Sequence, residues 1–244
     1  MKKTHLLIAI AVFQMLRCAN SVAQVAPSRE SHYWRSASEF IFSLGDVSYS
    51  GDSGLVSDIN PALRFTGFLN FQSQYHIDFS RKTGFMTGFG VRNVGFINDI
   101  GDSIKLKQRV YSFGIPAAFK VGKLPDEFYA LLGVEAELFF NYKQKAFYQD
   151  EKFKRSEWFS HKVNLFNPSI FVDFHIKQET YIRFKYYMND MLRGNNQNIR
   201  INGTALDYAP QKSQLFYISI GTVVKPTDSK KKPNDTHNVM SRQF

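Results

Sequence analysis

Residues 128–143 read FYALLGVEAELFFNYK, and apolar and polar side chains alternate along most of this stretch. One face carries apolar residues: Phe128, Ala130, Leu132, Val134, Ala136, Leu138, Phe140 and Tyr142. The other carries polar residues: Glu135, Glu137, Asn141 and Lys143. A period of two residues is that of a β-strand whose two faces meet different surroundings. The stretch therefore predicts one long strand with an apolar face and a charged face.

Seven other segments show the same period. They are residues 38–47, 63–79, 85–98, 107–122, 166–176, 182–189 and 213–225. In the segment 63–79 the polar face includes Arg64, Phe68 and Asp78. Most of these segments exceed the 9–11 residues with which a tilted strand crosses a bilayer. The sequence thus predicts eight strands.

The connections between these segments alternate in length. Residues 81–84, 122–126 and 177–180 form short turns, whereas residues 48–62, 98–106, 144–162 and 192–212 form long connections. Outer-membrane barrels have short periplasmic turns and longer external loops. A closed ring also pairs every backbone group that would otherwise be left unpaired in lipid. The predicted fold class is therefore all-β, an eight-stranded antiparallel up-and-down transmembrane β-barrel.

A soluble barrel of the lipocalin type, with its apolar faces pointing inward, is the alternative. The chain contains 24 Phe, 12 Tyr and 2 Trp, and the apolar faces are long and nearly free of charge. Charges of both signs occupy the opposite faces, which suits the polar interior of a membrane barrel. Aromatic residues near strand ends suit an interfacial girdle: Tyr75, Tyr111, Tyr142, Trp158 and Tyr187. These features favour the membrane barrel.

The N-terminus has the layout of a secretory signal peptide: a basic start, a short apolar run and small residues before Gln24. We expect cleavage after Ala23; a lipoprotein anchor at Cys18 is the alternative, although Arg17 precedes it. The single Cys excludes a disulfide framework. The predicted organisation is a signal peptide (1–23), a periplasmic segment (24–37), the outer-membrane barrel (38–225) and a basic periplasmic tail (226–244). The expected location is the cell outer membrane.

Charged residues on the polar faces are the candidate site. By alternation the following share the lumen: Arg64, Asp78, Arg92, Glu135, Glu137, Asp173, Arg183 and Lys185. Eight strands leave an interior that side chains just fill, so a plug of ion pairs is expected, with a narrow polar pore as the alternative. His76 and His175 also point inward, but no ligand spacing accompanies them. We expect no metal and no cofactor.

An enzyme that modifies lipid A is a further alternative, because Glu157, Ser160 and His161 lie in one long connection. Adjacent residues seldom point at each other as nucleophile and base must. We therefore expect no enzymatic activity. Nucleic acid is excluded as a partner because the chain is exported and has no basic fold.

The segments RVYSFGIPAAFKVG (109–122) and FYALLGVEAELFF (128–140) resemble the outer-membrane β-barrel domain family of Bacteroidota. Ile115, Pro116 and Lys120 match its pattern, and residues 213–225 resemble its closing strand. The overall plan is similar to PorT-like members, which are tied to type IX secretion. The resemblance implies a structural barrel or an accessory of a transport or secretion complex. The expected partners are outer-membrane lipid and periplasmic or secretion-complex proteins; a small passive channel remains the alternative.

Overall fold

The computed structural model describes residues 31–51, 54–55, 59–100, 104–124, 127–148, 151–176, 179–194, 197–201 and 204–224. The predicted signal peptide, most of the segment 24–37 and the tail 226–244 lie outside these residues. Thirteen strands occur within the described ranges. They are β1 Ser31–Gly51, β2 Gly54–Leu55, β3 Ile59–Ala62, β4 Arg64–Thr66, β5 Phe71–Asp78, β6 Thr83–Ile100, β7 Ile104–Gly122, β8 Tyr129–Tyr148, β9 Glu151–Trp158, β10 Phe166–Ile176, β11 Thr180–Tyr187, β12 Gln197–Ile201 and β13 Thr204–Val224.

Eight of these strands follow one another around a closed antiparallel ring. Its order is β1, β5, β6, β7, β8, β10, β11 and β13. The ring closes where residues 36–50 of β1 pair with residues 209–224 of β13. Closure leaves neither β1 nor β13 as a free edge, as a strand ladder in lipid requires. The predicted all-β antiparallel barrel is confirmed.

The strands extend further than the sequence predicted. β1 begins at Ser31 instead of residue 38. The predicted loop 144–162 contains the end of β8 and all of β9, which pair from Asn141 with Trp158 to Tyr148 with Glu151. The other long connections contain β2, β3, β12 and the start of β13. The sheet therefore continues well beyond the length needed to cross a bilayer, and it does so at the end of the barrel opposite the short turns.

The predicted strand 63–79 is interrupted between β4 and β5. The backbone N–H of Glu39 donates to the carbonyl of Asn70 (3.0 Å), and the Asn70 side chain donates to the carbonyls of Glu39 and Thr66. These bonds hold a bend in which Leu69 has a φ of 60°. Phe68 was predicted on the polar inner face, but it is 70% exposed because the bend turns it outward. That prediction was wrong.

A β-bulge in β8 changes which residues face outward. Tyr111 pairs with Asn141 while Ser112 pairs with Phe139, so Phe140 is the extra residue. An extra residue reverses the alternation beyond it. Tyr142, predicted on the lipid face, is fully buried inside, and Lys143, predicted in the lumen, lies on the outside. Both predictions were wrong for this one reason.

The outer surface of the ring carries a band of exposed apolar side chains. On β7 this band runs from Val121 to Phe113, and on β8 from Leu132 to Leu138. Its other members include Phe40, Phe65, Phe71, Phe89, Phe174, Phe184, Ile218 and Ile220. Residues 113–121 span about 26 Å along an extended strand, close to the height of a membrane barrel's apolar band. No helix long and apolar enough to cross a bilayer occurs in the described residues.

Candidate functional site: the barrel interior and the external extension

Short turns lie at one end of the barrel and long strand extensions at the other. Residues 79–82, 123–128 and 177–179 connect strands at the short end, and residues 31 and 224 lie there too. In outer-membrane barrels the short turns face the periplasm. The opposite end therefore faces outward. We call the parts of β6, β7 and β8 beyond the apolar band, together with β3 and β9, the external extension.

A layer of buried charges crosses the middle of the barrel. This ionic layer consists of Glu39, Arg92, Glu135, Glu137, Asp173, Arg183 and Lys185, each no more than 3% exposed. Arg183 donates two hydrogen bonds to Asp173, from Nε and Nη2, both 2.7 Å long. Its Nη1 donates to Glu39 Oε1 at 2.7 Å, and Tyr181 donates to the same oxygen at 2.9 Å. One guanidinium thus joins two carboxylates from different strands.

Lysine and arginine connect the remaining carboxylates of the ionic layer. Lys185 Nζ donates to Glu135 Oε2 at 2.6 Å and also contacts Glu137 Oε1. Arg92 pairs with Glu135 and lies 3.5 Å from Glu39. Removing one partner from a buried pair leaves an uncompensated charge, so the loss of a single member destabilises the whole layer. Six of the eight predicted lumen residues therefore lie together in this layer.

Asp78 lies apart from the ionic layer, nearer the periplasmic end. Lys120 Nζ donates to Asp78 Oδ1 at 2.5 Å and to the Tyr33 hydroxyl at 2.9 Å, and Tyr33 donates to Asp78 Oδ2 at 2.9 Å. The His76 ring stacks on Tyr33 with centroids 5.0 Å apart. These residues form a second, smaller polar cluster inside the ring.

Arg64 does not join either charged cluster. Its guanidinium donates to the side-chain oxygen of Asn93 at 2.6 Å and to the Asn93 carbonyl at 3.2 Å. Within the described residues no carboxylate forms an ion pair with it. β4 pairs with β1 but not with β6, so Arg64 lies where the ladder between these strands is interrupted. The predicted place of Arg64 in the lumen charge network was wrong.

The outer half of the interior is mostly apolar. We call this cluster the apolar plug; it consists of Ile41, Val47, Tyr49, Val94, Phe96, Leu106, Val110, Phe139, Tyr142, Ala146, Val163, Tyr187, Met191, Leu192, Leu215 and Tyr217. Val163 and Leu192, which form an isolated bridge, bring the segments after β9 and after β11 into the plug. The sequence predicted a polar interior throughout, whereas this half is mostly apolar, with buried Gln108 accepting from Tyr49 (2.7 Å) and donating to Tyr142 (2.9 Å).

Sequence reasoning missed three charged members of the interior: Arg35, which precedes the predicted start of the first strand, Glu39 and Lys120. Glu39 precedes Phe40, and because Phe40 was placed on the outer face the alternation puts Glu39 inside. Lys120 lies on the polar face of its segment by the same rule. The signal was present for Glu39 and Lys120, whereas nothing in the local pattern identifies Asp78 as the partner of Lys120.

Of the residues in the enzyme alternative, Ser160 contacts Glu157, and no hydrogen bond joins it to His161 in the described part of the chain. Ser160 is buried and its hydroxyl donates to Glu157 Oε2, while the N–H of Lys162 donates to the Ser160 oxygen at 3.3 Å. His161 is exposed. Among the described residues, no three His, Cys, Asp or Glu side chains are grouped to hold a metal ion.

The outer surface of the external extension is strongly basic. We call it the basic face; its members are Lys105, Lys107, Arg109, Lys143, Lys145, Lys152 and Lys154. Lys107 lies directly opposite Lys145, which lies opposite Lys154, and Arg109 lies opposite Lys143. Partial burial lowers the pKa of Lys145, and the charges of Arg109, Lys152, Lys154 and Lys107 lower it further. The seven side chains form rows across three strands.

Aromatic rings mark the lower boundary of the basic face. Tyr111 stacks on Phe140 (centroids 6.5 Å apart) and Phe140 on Trp158 (5.8 Å), directly beyond the apolar band. Lys143 Nζ lies 4.9 Å from the centre of the Tyr111 ring. Tyr and Trp at this position are typical of the membrane–water interface. The basic face therefore begins where the bilayer's hydrocarbon ends.

Comparisons with known proteins are limited to a likeness of solved structures. No family model and no curated protein sequence matches the chain. It is similar to the Ail attachment invasion locus protein of Yersinia pestis (14% identity, TM-score 0.34), covering 79% of this chain and 99% of that one. It is also similar to Neisserial surface protein A (11%, 0.36, covering 82% and 100%) and to OprG of Pseudomonas aeruginosa (9%, 0.33, covering 80% and 97%).

The placement of the chain follows from its own surface. A closed ring with an apolar exterior band, an aromatic boundary and buried internal charges suits a lipid surround, because water would leave that band uncovered. The protein is an outer-membrane β-barrel whose interior is filled by side chains.

Proposed function

We propose that the protein is a non-enzymatic outer-membrane barrel with a structural or accessory role, in which the barrel anchors and presents the external extension. The observation that carries this proposal is the filled interior. The ionic layer and the apolar plug occupy the lumen in succession, and their members are nearly all less than 4% exposed. A barrel filled in this way is a support rather than a pathway.

The two layers oppose ion passage for different reasons. An ion entering from the periplasm meets carboxylates that are already paired with Arg92, Arg183 or Lys185, so it must break buried pairs such as Arg183 with Asp173. Beyond them lies a mostly apolar cluster in which polar groups such as those of Tyr49, Gln108 and Tyr142 already hydrogen-bond one another, and burying an unpaired charge there is very costly. Conduction would therefore require the interior to unfold in part.

An accessory role is supported by the length of the external extension and by the resemblance to secretion-associated barrels of Bacteroidota. β7 and β8 continue for 19 and 20 residues, about twice the length needed to cross the membrane. Extended external structure is where a barrel contacts partner molecules. On this basis we propose that the protein acts beside a transport or secretion complex, type IX secretion included.

Planar-bilayer recording tests the filled interior. Purified full-length protein, refolded into lipid, is expected to give no discrete conductance steps, while heat-modifiable migration on gels shows that the same sample is folded. Regular steps from folded protein would overturn the proposal and favour the passive channel.

A deletion strain tests the accessory role. We expect secreted cargo to accumulate in the periplasm of the deletion strain and to be released again when the full chain is restored. A photo-crosslinker placed at Lys154 on the external side, or at Lys82 on the periplasmic side, then identifies the partner. Normal cargo release without the protein would exclude a secretion role and leave the structural one.

A further inference from the structure

We infer that the basic face is a binding site for the phosphate groups of outer-leaflet glycolipid, the lipid A region of lipopolysaccharide. This inference rests on the placement of the protein in the outer membrane. It assigns to the basic face a ligand that the proposed structural or accessory role does not require. Three observations support this inference. Cations lie side by side on the basic face, few carboxylates lie among them, and their side chains project sideways from the barrel at the level of the lipid headgroups.

The strand register forces cations to be neighbours. Lys107, Lys145 and Lys154 are directly opposite one another on three adjacent strands. Adjacent strands are about 4.8 Å apart, so the three Cα atoms lie within about 10 Å. Like charges directly opposite in a sheet destabilise it. A row of this kind is stable when an anion lies across it, and a phosphate group, with several acceptor oxygens, can bridge two such cations.

Carboxylates do not neutralise most of the basic face. Lys105 is 3.6 Å from Asp99. In the part of the chain that the structure describes, no ion pair involves Lys107, Arg109, Lys143, Lys145, Lys152 or Lys154. By alternation Glu151 lies on the other face of β9, with Phe153. The six unpaired cations therefore remain available to an external anion.

Aromatic rings hold the cations in place. Lys107 and Lys152 flank the Phe147 ring at 5.3 and 5.2 Å from its centre. Arg109 and Lys143 approach the Tyr111 ring at 5.8 and 4.9 Å. A side chain held against a ring loses less conformational freedom on binding than a free lysine does, which favours a defined site over a diffuse charge.

The height and direction of the basic face select a lipid over a soluble polyanion. Its side chains project sideways from the barrel, on the same surface as Phe113 and Leu138 of the apolar band. Arg109 and Lys143 lie about 7 Å along the strands beyond the Tyr111 level, within the headgroup layer. Lipid A carries its phosphates at this height, against the side of the protein.

The test compares lipid binding by three versions of the full-length protein in nanodiscs. The first is wild type; the second carries Lys107→Gln, Lys145→Gln and Lys154→Gln. The third, a matched control, carries Arg81→Gln, Lys82→Gln and Lys123→Gln, which remove the same charge from exposed positions in the periplasmic turns. Binding of bisphosphorylated lipid A is measured by native mass spectrometry, and heat-modifiable migration confirms folding.

We expect wild type and the control to bind bisphosphorylated lipid A equally, and the basic-face variant to bind about 100-fold more weakly. Wild type should also prefer bisphosphorylated to dephosphorylated lipid A, a comparison that needs no variant. Equal binding by all three proteins, or no preference for the phosphates, would overturn the inference. If wild type instead binds a soluble sulfated glycan and not lipid A, the ligand is a soluble polyanion and the lipid assignment is wrong.

These outcomes are independent of the proposed function. A conducting barrel with an intact lipid preference would overturn the filled interior and leave the basic face standing. A barrel that conducts no ions and shows no preference for phosphorylated lipid A would support the filled interior and overturn the inference about the basic face.

Discussion

Arg183 and Asp173 face each other across the β10–β11 hairpin and are joined by two parallel hydrogen bonds of 2.7 Å, with neither side chain exposed. The two residues are directly paired in the strand register. A guanidinium fork that meets a carboxylate in this way gives a charge-assisted, geometrically specific pair. Because Arg183 also holds Glu39, the pair fixes the hairpin against β1 on the far side of the ring closure.

We expect Asp173→Ala to destabilise the folded barrel by about 3–5 kcal/mol, since Arg183 would keep its charge in the interior with one partner fewer. Urea unfolding in lipid vesicles, followed by tryptophan fluorescence, measures the change. The control is Asp46→Ala, which removes the exposed partner of Lys212 and should have little effect on stability. Similar costs for the two variants would contradict the importance of the buried pair.

The double variant Asp173→Leu with Arg183→Met separates charge from packing. Replacing both members of a buried pair with apolar side chains of similar size is often nearly neutral. We expect the double variant to recover much of the stability lost in Asp173→Ala, although Glu39 would lose a donor. A double variant less stable than Asp173→Ala would show that the contacts with Glu39 outweigh the pair itself.

The membrane-crossing part of the fold could be predicted from the sequence because each strand there separates lipid from a polar interior. On β8, Glu135 and Glu137 alternate with Val134 and Leu138, and this contrast is visible without a structure. In the external extension the contrast is reversed: Leu106 and Ala146 point inward while Lys107 and Lys145 lie on the outer surface. A search for strands whose apolar side chains face outward misses strands whose apolar side chains face inward. For that reason the sequence predicts a loop where β9 lies.

The sequence could predict which charged residues face the interior, but not which of them pair with each other. Alternation places Asp173, Arg183 and Lys185 inside the ring, since inward and outward positions follow from strand periodicity. Which carboxylate each cation reaches depends on the stagger between strands that are distant in sequence, as with Arg183 and Glu39. The bulge at Phe140 is equally hidden, because one extra residue changes the ladder without changing the local composition.

Gly45 provides room for an aromatic ring in the apolar plug. A Cβ atom at this position would lie 2.5 Å from Cγ and Cδ1 of Phe96. We therefore expect Gly45→Ala to displace the Phe96 ring and to cost about 1–3 kcal/mol of folding free energy. Unfolding in lipid vesicles measures the loss. Gly194→Ala is the control, because its nearest neighbour is the Pro210 carbonyl at 3.4 Å; an unchanged stability for both variants would contradict the close contact.

The pKa values of two lysines at the outer surface should be shifted in opposite directions. A hydrogen bond to Asp46 raises the pKa of Lys212, whereas partial burial and neighbouring cations lower the pKa of Lys145. The interaction at Lys212 stabilises the fold below the ordinary lysine pKa and is lost as pH rises through the raised value. At Lys145 the sign is reversed, since protonation of the folded state is disfavoured, and stability is gained as pH rises from the lowered pKa to the ordinary one.

Acylation of amines at pH 9, quantified by peptide mass spectrometry, tests this difference because only the neutral amine reacts. We expect Lys145 to react faster than Lys212 in the folded protein. Lys154→Gln should slow the reaction of Lys145, since removing a neighbouring positive charge raises its pKa. Equal rates at both sites, or no effect of the neighbour, would contradict the electrostatic coupling within the basic face.

The segment after β9 should contribute no chemistry to lipid A. Ser160 is buried, and its hydroxyl donates a hydrogen bond to Glu157. His161 is exposed, and it forms no hydrogen bond with Ser160 in the described part of the chain. We expect His161→Ala to leave the mass profile of lipid A from intact cells identical to that of wild type, and Ser160→Ala to do the same while loosening the segment slightly. Because a nucleophile must be activated by an adjacent base, a changed profile in both variants would show that these two side chains meet in another conformation. A changed profile in Ser160→Ala alone would instead point to Glu157 as the base.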